Sequence, residues 1–423
     1  MSPHVRMGAT MTVRYNRAVT SSSLSGLNWL NLLVALMQTG FGAFLSVYLT
    51  THGWSAAEIG FALSLAAITA MVAQVPAGMM VDAAHDKRHA AAIAIAIVIL
   101  AALVIGIAPS HFPVLVAEMM QGAAGCVLTP SIAAITLALA QKEALGERLG
   151  HNVRFAALGS VSAAAAMGVV GTFYSHRATL FLAAAAGMAA LGAIATIQGR
   201  DLATAHLRTD HRAAPPKVLR PAQDRGWDIA RDPCLLIFGL CVFLFQLGNA
   251  GMLPLAANAV TRAGGGRVEL YVAAAIVMPQ LVAALLSPRV GRLAQQHGRR
   301  LVLVCGFLAM AARAMLLATD GGPFPMIAYQ SLDGISAAAM GVLLPLIVAD
   351  ITHHRGRFNL AMGIVGVFVG LGAAASTTLA GALADRFGDT IAFLALAVPG
   401  LLAALLAWTG LPETRHRAAA RPA

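Results

Sequence analysis

Charged residues are scarce in this sequence. Asp, Glu, Lys and Arg make up 11% of its 423 residues, against roughly 25% in an ordinary soluble domain. Hydrophobic residues reach 58% and the mean hydropathy is +0.75, so the composition excludes a soluble globular chain and predicts an integral membrane protein. The net charge is +11, but the basic residues lie in the joints between apolar runs. They are not grouped on one soluble face, so we do not expect nucleic acid as a partner.

Chemical motifs are also missing. The sequence contains no Walker A motif, which argues against an ATP-driven pump, and no HExxH, GxSxG or complete GxGxxG motif, which argues against an enzyme. We therefore expect no cofactor. The four cysteines lie in or beside apolar runs without metal-ligand spacing. We interpret them as core thiols and expect no metal site: Cys126, Cys234, Cys241 and Cys305.

Long apolar runs dominate the chain. A run of about twenty residues crosses a hydrocarbon layer of about 30 Å, and on this basis the sequence predicts twelve transmembrane helices. They are residues 24–50, 56–81, 89–108, 112–140, 153–174, 178–198, 234–260, 268–288, 301–318, 324–351, 359–383 and 391–410. The joint at 199–233 is long, polar and basic, so we interpret it as a solvated linker. The predicted organisation is a tail at 1–23, a six-helix bundle at 24–198, this linker, a second six-helix bundle at 234–410 and a tail at 411–423.

Basic residues are distributed asymmetrically between the two sides of the membrane. If the N-terminal tail is cytoplasmic, all but five of the 29 lysines and arginines fall in cytoplasmic tails, joints and the linker. Cytoplasmic segments of membrane proteins carry such an excess, so the sequence predicts that both termini are cytoplasmic. We expect Arg313, which lies within a span, to extend outward to the lipid headgroups. The other exceptions lie in outer joints: Arg177, Arg262, Arg267 and Arg386.

Two joints carry similar residues, at 78–88 after the second span and at 291–300 after the eighth. The pair resembles the loop motif GxLaDrxGrr of the major facilitator superfamily. The first copy has His85 in place of the second glycine, and the second copy has Gln295 in place of the acid. The resemblance implies a cytoplasmic gate in which glycines allow close helix contact and acids pair with bases. The predicted gate residues are Gly78, Asp82, Lys87, Arg88, Gly291, Gly298, Arg299, Arg300, Asp350 and Arg357.

Other segments repeat at nearly the same spacing. Gln38-x-Gly in the first helix corresponds to Gln246-x-Gly in the seventh, and Pro130 in the fourth corresponds to Pro345 in the tenth. Transporters built by internal duplication have their substrate site between the two halves, near mid-membrane. The resemblance to the superfamily therefore covers essentially the whole chain. It implies an all-α fold of twelve transmembrane helices in two pseudo-symmetric six-helix bundles.

Two acidic residues lie inside predicted spans and away from the span ends, where a charged side chain costs about 3 kcal/mol on insertion scales. The register of Pro130 and Pro345 places Glu118 in the fourth helix opposite Asp333 in the tenth. Glu118 replaces the arginine of an RxxQG motif that is common in this helix of the superfamily. Burial favours the protonated form of a carboxyl group, so both acids are candidates for proton coupling. The predicted proton and substrate cavity comprises Asp333, Glu118, Gln38, Gln246, Asn249 and Gln121.

A structural role is the alternative for each acid. Glu118 can hydrogen-bond locally as a neutral acid, and Asp333 can satisfy a neighbouring helix. Asp350 lies within one turn of His353 and His354 near the cytoplasmic end. We interpret Asp350 as part of a salt bridge in the gate.

These patterns predict a secondary transporter of the bacterial inner membrane that works as a monomer by alternating access. Its expected partners are a small organic substrate, protons and the lipid bilayer. Export of the substrate in exchange for protons is the favoured interpretation. Proton-linked uptake of an organic anion or another metabolite is the alternative within transport. A non-transporting sensor or a scramblase is the alternative outside it.

Overall fold

The computed structural model describes residues 20–84, 86–141, 144–202, 228–256, 268–319, 323–353 and 357–414. Twelve long helices follow one another in these ranges. The first, α1, consists of Ser21–Thr39, a π-helical turn at Gly40–Phe44, and Leu45–Thr51. The others are α2 (Ala56–Ala83), α3 (Lys87–Ile107), α4 (His111–Leu139), α5 (Leu145–Phe173), α6 (His176–Thr196), α7 (Pro233–Asn249), α8 (Val268–His297), α9 (Arg299–Leu317), α10 (Pro323–Thr352), α11 (Phe358–Phe387) and α12 (Asp389–Gly410).

The prediction of an all-α fold with twelve transmembrane helices is confirmed in the described ranges. Eleven of these helices, α2 to α12, are each long and apolar enough to cross a membrane. α1 reaches that length when its three consecutive segments are taken together. Most of the predicted linker at 199–233 and of the two tails lies outside the described residues, so the domain boundaries stay predictions.

N-cap side chains define where several of the helices begin. Ser55 and Glu58 form a capping box at the start of α2, in which each side chain accepts a hydrogen bond from the other's backbone N–H. Asp86 caps α3 by accepting from the backbone N–H of Arg88 at 2.9 Å, and Asp232 caps α7 in the same way. These caps satisfy backbone donors that have no partner within the helix. Consecutive helices can therefore reverse direction through short joints.

The helices pack into two groups. In the first group α1 packs against α5 and α6, and α4 packs against α2 and α3. In the second group α7 packs against α11 and α12, and α10 packs against α8 and α9. Each group has its own apolar core, around Leu30 and Ile95 in the first and around Phe238 and Phe307 in the second. The groups meet where α2 packs against α11 and where α5 packs against α8.

The two groups are in backbone contact at one end of the bundle. We call it the basic end, because Arg88 and Arg299 lie there in the first turns of α3 and α9. Gly146 of α5 and Gly291 of α8 face each other so closely that a Cβ on either would collide with the backbone of the other. Glycine is required at both positions because the helix backbones themselves touch.

The same closeness recurs between α2 and α11. Gly78 of α2 lies against the backbone of Asn359 in α11. The structure therefore represents a form in which the groups are closed at the basic end.

Candidate functional site

A buried ion pair lies inside the second group of helices. The Arg313 guanidinium of α9 donates a hydrogen bond from Nη1 to Oδ1 of Asp333 in α10 at 2.7 Å. The same Nη1 donates to Oδ1 of Asn249, at the end of α7, at 2.8 Å. Arg313 is 1% exposed, whereas the Asp333 side chain is 23% exposed. The acid is therefore the more accessible member of the pair.

The prediction that Arg313 extends outward to the lipid headgroups is wrong. Its guanidinium turns inward, because an ionised carboxylate and an amide oxygen compensate for the desolvation of the cation. Arg313 and Asp333 lie on different helices, and spacing along the chain does not reveal which helices pack together. The signal that could have found the pair was a lone cation inside an apolar span, which needs a partner.

The end of α7 presents Asn249 to this pair. Regular helix stops at Asn249, and the backbone N–H of Gly251 donates to Oγ of Ser376 in α11 at 2.8 Å. Side chains of neighbouring helices commonly satisfy the backbone groups that such a break releases inside a membrane. Gln246, one turn earlier, lies against Gly372 of α11. Of the predicted cavity residues, Asn249 and Asp333 thus meet at one point, and Gln246 lies nearby on the α11 side of α7.

A further polar side chain, which sequence reasoning missed, lies one turn before Asp333 on α10. Gln330 is 0% exposed, and neither its amide nitrogen nor its amide oxygen has a hydrogen-bond partner among the described residues. Nε of Arg313 also has no hydrogen-bond partner among the described residues. Buried polar groups are nearly always hydrogen-bonded, so these three atoms are candidates for contact with a polar ligand. The sequence signal that could have identified Gln330 was a polar amide side chain within an apolar run.

Glu118 belongs to a different contact. Glu118, Gly122 and Cys126 share one face of α4, and this face packs on α2. Gly122 lies against the backbone of Ala66, and Sγ of Cys126 donates to the carbonyl oxygen of Ala70 at 3.0 Å. Glu118 is 1% exposed, and its Oε1 has no partner within the described part of the chain. An ionised carboxylate would be costly at this position, so the geometry favours a neutral acid.

The structure does not pair the two acids that the sequence placed opposite each other. Asp333 has Arg313 as its partner, whereas Glu118 is turned toward α2. Gln121 is half-buried on α4, and Nε2 of Gln38 lies near Gly125 of the same helix. The candidate site therefore centres on the second group, with its acid, cation and amides contributed by α7, α9 and α10.

We expect Glu118→Gln to keep the fold, because an amide is isosteric with a neutral carboxyl group. Its thermal midpoint in detergent should stay within about 2 °C of the wild-type value. Loss of an ionised and paired carboxylate would instead cost about 3 kcal/mol or more. Glu147→Gln is the control for loss of a paired and more exposed carboxylate, because Glu147 of α5 pairs with Arg292 of α8 at 3.7 Å. A large drop confined to Glu118→Gln would contradict the assignment of a neutral acid.

At the basic end, Asp82 connects the two groups. Its carboxylate accepts three hydrogen bonds from the start of α11: from the Asn359 backbone N–H at 3.1 Å, from Asn359 Nδ2 at 2.7 Å and from the Leu360 backbone N–H at 2.9 Å. A carboxylate at a helix N-terminus also interacts favourably with the helix dipole. Among the predicted gate residues, Gly78 and Asp82 therefore contact the other group directly.

The bases of the first joint contact their own group. Nζ of Lys87 donates to carbonyl groups at the end of α2, including that of Ala84 at 2.7 Å. Arg88 pairs with Asp86 at 2.6 Å and donates to the carbonyl oxygen of Ile197, after α6, at 2.6 Å. Hydrogen bonds from the Arg88 side chain hold the pKa of Asp86 below its usual value, against the opposing effect of burial. These contacts tie α2, α3 and α6 together.

The second joint is held by residues that follow α12. Nε of Arg299 pairs with Oδ2 of Asp350 at 3.1 Å, both side chains being buried, and the Thr414 hydroxyl donates to the same oxygen at 3.1 Å. The Glu413 carboxylate accepts from the backbone N–H groups of Arg299 at 2.9 Å and of Arg300 at 3.2 Å. The salt bridge of Asp350 with Arg299 therefore joins helices of one group.

Three other gate residues differ in their surroundings. Gly291 makes the backbone contact with Gly146 across the groups. Gly298, which precedes α9, has a φ of +100°, a conformation that favours glycine. Arg357 is exposed at the start of α11. His354, which we expected beside Asp350, lies outside the described residues.

We expect Asp82→Ala to weaken closure of the basic end. The change removes three hydrogen bonds to a charged group, each worth about 1.5–3 kcal/mol, and a net loss of 1.4 kcal/mol shifts an equilibrium about tenfold. Spin labels on α2 and α11 should report a larger population with the two helices apart. Asp86→Ala, in the same joint but bonded to its own group, is the control. Equal distance distributions in wild type and Asp82→Ala would refute a closing role.

Comparisons with known proteins agree with this architecture. The family model described as Major Facilitator Superfamily matches residues 27–278 and 238–423. An uncharacterized MFS-type transporter of Mycobacterium tuberculosis is 32% identical over 404 residues, which cover 94% of this chain and 95% of the relative. A multi-drug resistance efflux pump PmrA homolog of Lactococcus lactis is 28% identical over 142 residues, which cover 34% of this chain and 35% of that protein.

Two solved structures have the same fold. The proton:xylose symporter XylE superposes with a TM-score of 0.71 at 16% identity, covering 93% of this chain and 97% of its own. The fucose:proton symporter FucP of E. coli superposes with a TM-score of 0.67 at 15% identity, covering 91% and 97%. At these identities the likeness concerns the fold alone.

Proposed function

The chain belongs to the Major Facilitator Superfamily, and on that premise we propose that it moves a small organic molecule across the membrane in a cycle coupled to protons through Asp333. It is a secondary transporter and not an enzyme. The observation that carries the proton-coupling proposal is the buried ion pair between Asp333 and Arg313. Its acidic member is the more accessible of the two side chains.

Protonation of Asp333 changes the free energy of the second group. In the ionised form the carboxylate neutralises Arg313. In the protonated form a buried cation has lost its partner, and breaking a buried pair costs about 3–5 kcal/mol. A difference of this size is enough to bias two conformations of a transporter that otherwise differ by a few kcal/mol. Proton binding at Asp333 therefore favours a rearrangement of α7, α9 and α10.

Export in exchange for protons is one candidate for the direction of coupling. It requires that proton and substrate exclude each other at Asp333. The partial similarity to a protein named as a multi-drug efflux pump homolog supports this candidate.

Proton-linked uptake of an organic anion is the second candidate, and the geometry supports it better. A cationic substrate at Asp333 would have to displace Arg313, which is 1% exposed and fixed in the helix packing. An anionic substrate does not have to displace Arg313. Protonation of Asp333 leaves Arg313 without a negative partner, and the anion can take that place. Proton and anion then bind together and move in the same direction.

We further propose that the basic end faces the cytoplasm of a bacterium and that the protein works as a monomer in the inner membrane. The excess of Lys and Arg in the joints at this end supports the orientation, and the bacterial relatives support the location.

Flux measurements in inverted and right-side-out vesicles test the proposed function. We expect accumulation of substrate to depend on an imposed pH gradient, with its sign set by the orientation of the vesicles. Accumulation along the proton gradient would identify co-transport, and accumulation against it would identify exchange. The absence of gradient-dependent flux in both orientations would defeat coupled transport and leave the sensor or scramblase alternatives.

A further inference from the structure

We infer that Arg313 and Gln330 form a seat for a carboxylate or another small anionic group of the substrate, which fills only when Asp333 carries a proton. The inference rests on the proposed function, in its anion form, and adds the residues that recognise the ligand and its charge. The seat lies in the second group, between α7, α9 and α10.

The geometry leaves two buried N–H donors without acceptors among the described residues. Nη1 of Arg313 is engaged by Asp333 and Asn249 at 2.7 Å and 2.8 Å, whereas its Nε has no partner among the described residues. Gln330 lies three residues before Asp333, and residues with this spacing lie on the same side of a helix. Its buried amide is also unpartnered. The Nε–H of the guanidinium and the amide N–H of Gln330 are therefore two unsatisfied donors, and donors of this kind bind a planar carboxylate.

Charge balance explains why the seat is conditional. With Asp333 ionised, the pair is neutral, and an added anion would be a second negative charge in a buried site. With Asp333 protonated, the anion replaces the lost negative charge and the site is neutral again. One proton and one monovalent anion therefore bind as a neutral set. Removal of a proton from Asp333 expels the anion.

The groups that face Asp333 directly are one cation and one neutral amide. Arg313 is the charged side chain that contacts it from α9, and Asn249 contributes a neutral amide from α7. Tyr329 lies one turn before Asp333 on α10. The other charged or histidine side chains described on α10 and on the helices that pack against it lie toward helix ends: Asp350 on α10, Glu147, Arg148, His151 and Arg154 on α5, Asp232 before α7, Arg289, Arg292 and His297 on α8, Arg299 and Arg300 on α9, and Arg357, Asp385 and Arg386 on α11.

Thermal unfolding of the full-length protein in detergent tests the seat. The probes are sodium benzoate and sodium benzenesulfonate, both anionic at mildly acidic and mildly alkaline pH, and benzamide is the uncharged control. Wild type should gain less stability from either anion than Asp333→Asn does, because Arg313 keeps its carboxylate partner in wild type. Asp333→Asn should be stabilised equally at both pH values, because Arg313 then lacks an ionised partner throughout.

Gln330→Leu tests the second member of the seat and is expected to fold, because it replaces an unpartnered buried amide with an apolar side chain of similar size. The affinity of this variant for benzoate should fall about tenfold. Gln74→Leu, which changes an amide of α2, is the matched control and should bind benzoate as wild type does. Equal benzoate affinity in wild type and Gln330→Leu would remove Gln330 from the seat.

The outcomes separate this inference from the proposed function. If neither anion stabilises Asp333→Asn more than benzamide does, the anion seat is wrong. A pH-driven flux in wild type that Asp333→Asn abolishes would then still support proton coupling through Asp333. If the anions bind as expected but no vesicle flux responds to a pH gradient, the seat stands and the proposed function fails.

Discussion

Asp333→Asn is expected to abolish proton-driven flux while leaving the protein in the membrane. The asparagine side chain does not ionise. The site therefore loses the carboxylate that neutralises Arg313 in one half of the cycle. Substrate accumulation driven by a pH gradient in proteoliposomes should fall to the level of empty vesicles. Unchanged accumulation would remove Asp333 from the mechanism.

Two further variants show whether the loss is specific. Asp385→Asn changes an exposed acid of α11 and should transport as wild type does. Asp333→Asn should also lower the thermal midpoint, because breaking one side of a buried pair costs about 3–5 kcal/mol. Addition of Arg313→Gln should recover part of that stability without restoring flux. If the double variant melts no higher than Asp333→Asn, then Arg313 finds another partner when Asp333 is replaced.

Gly291→Val is expected to hold the basic end open and to stop the cycle. A Cβ at position 291 collides with the carbonyl group of Gly146 in the facing helix, and that atom belongs to the backbone, so no side-chain movement relieves the contact. Overpacking of this kind costs about 1–3 kcal/mol, which lowers the ratio of closed to open form about fivefold to about 150-fold. Accessibility of a cysteine introduced at the basic end should rise, and transport should fall in proportion.

Gly168→Val is the matched control for this prediction. Gly168 lies on α5, like Gly146, but a Cβ there meets no atom within 4 Å in the form described. The control should leave the basic end closed, because its side chain adds no contact to the closed form. If Gly291→Val retains wild-type accessibility and flux, close backbone contact between α5 and α8 is not needed for the cycle.

The sequence predicted the main architecture because its signals are local. Each apolar run is recognised from about twenty residues, and the excess of Lys and Arg is counted joint by joint. The same holds for the repeats, such as Gln38 with Gln246, which need only alignment of the chain with itself. Twelve helices follow from these signals without knowledge of any contact.

The site was predicted less completely, since its members come from three helices. Asp333 and Asn249 were selected because a polar side chain inside a membrane span usually has a partner or a function. In the structure both side chains accept a hydrogen bond from Arg313. Their connecting residue, Arg313, was assigned to the lipid face. Glu118 was placed with Asp333 by the duplication, but the face of α4 that carries Gly122 and Cys126 turns toward α2.

The sequence by itself determined that this chain is a twelve-helix membrane protein with duplicated halves, because a hydrocarbon layer imposes length, hydropathy and internal hydrogen bonding on every span separately. Only the tertiary structure decided which charges meet. Asp333 pairs with Arg313 across two helices, and Asp82 bonds the start of α11 in the other group. Such pairings depend on how helices are rotated and packed, and the energy of a buried charge is set by the partner found there.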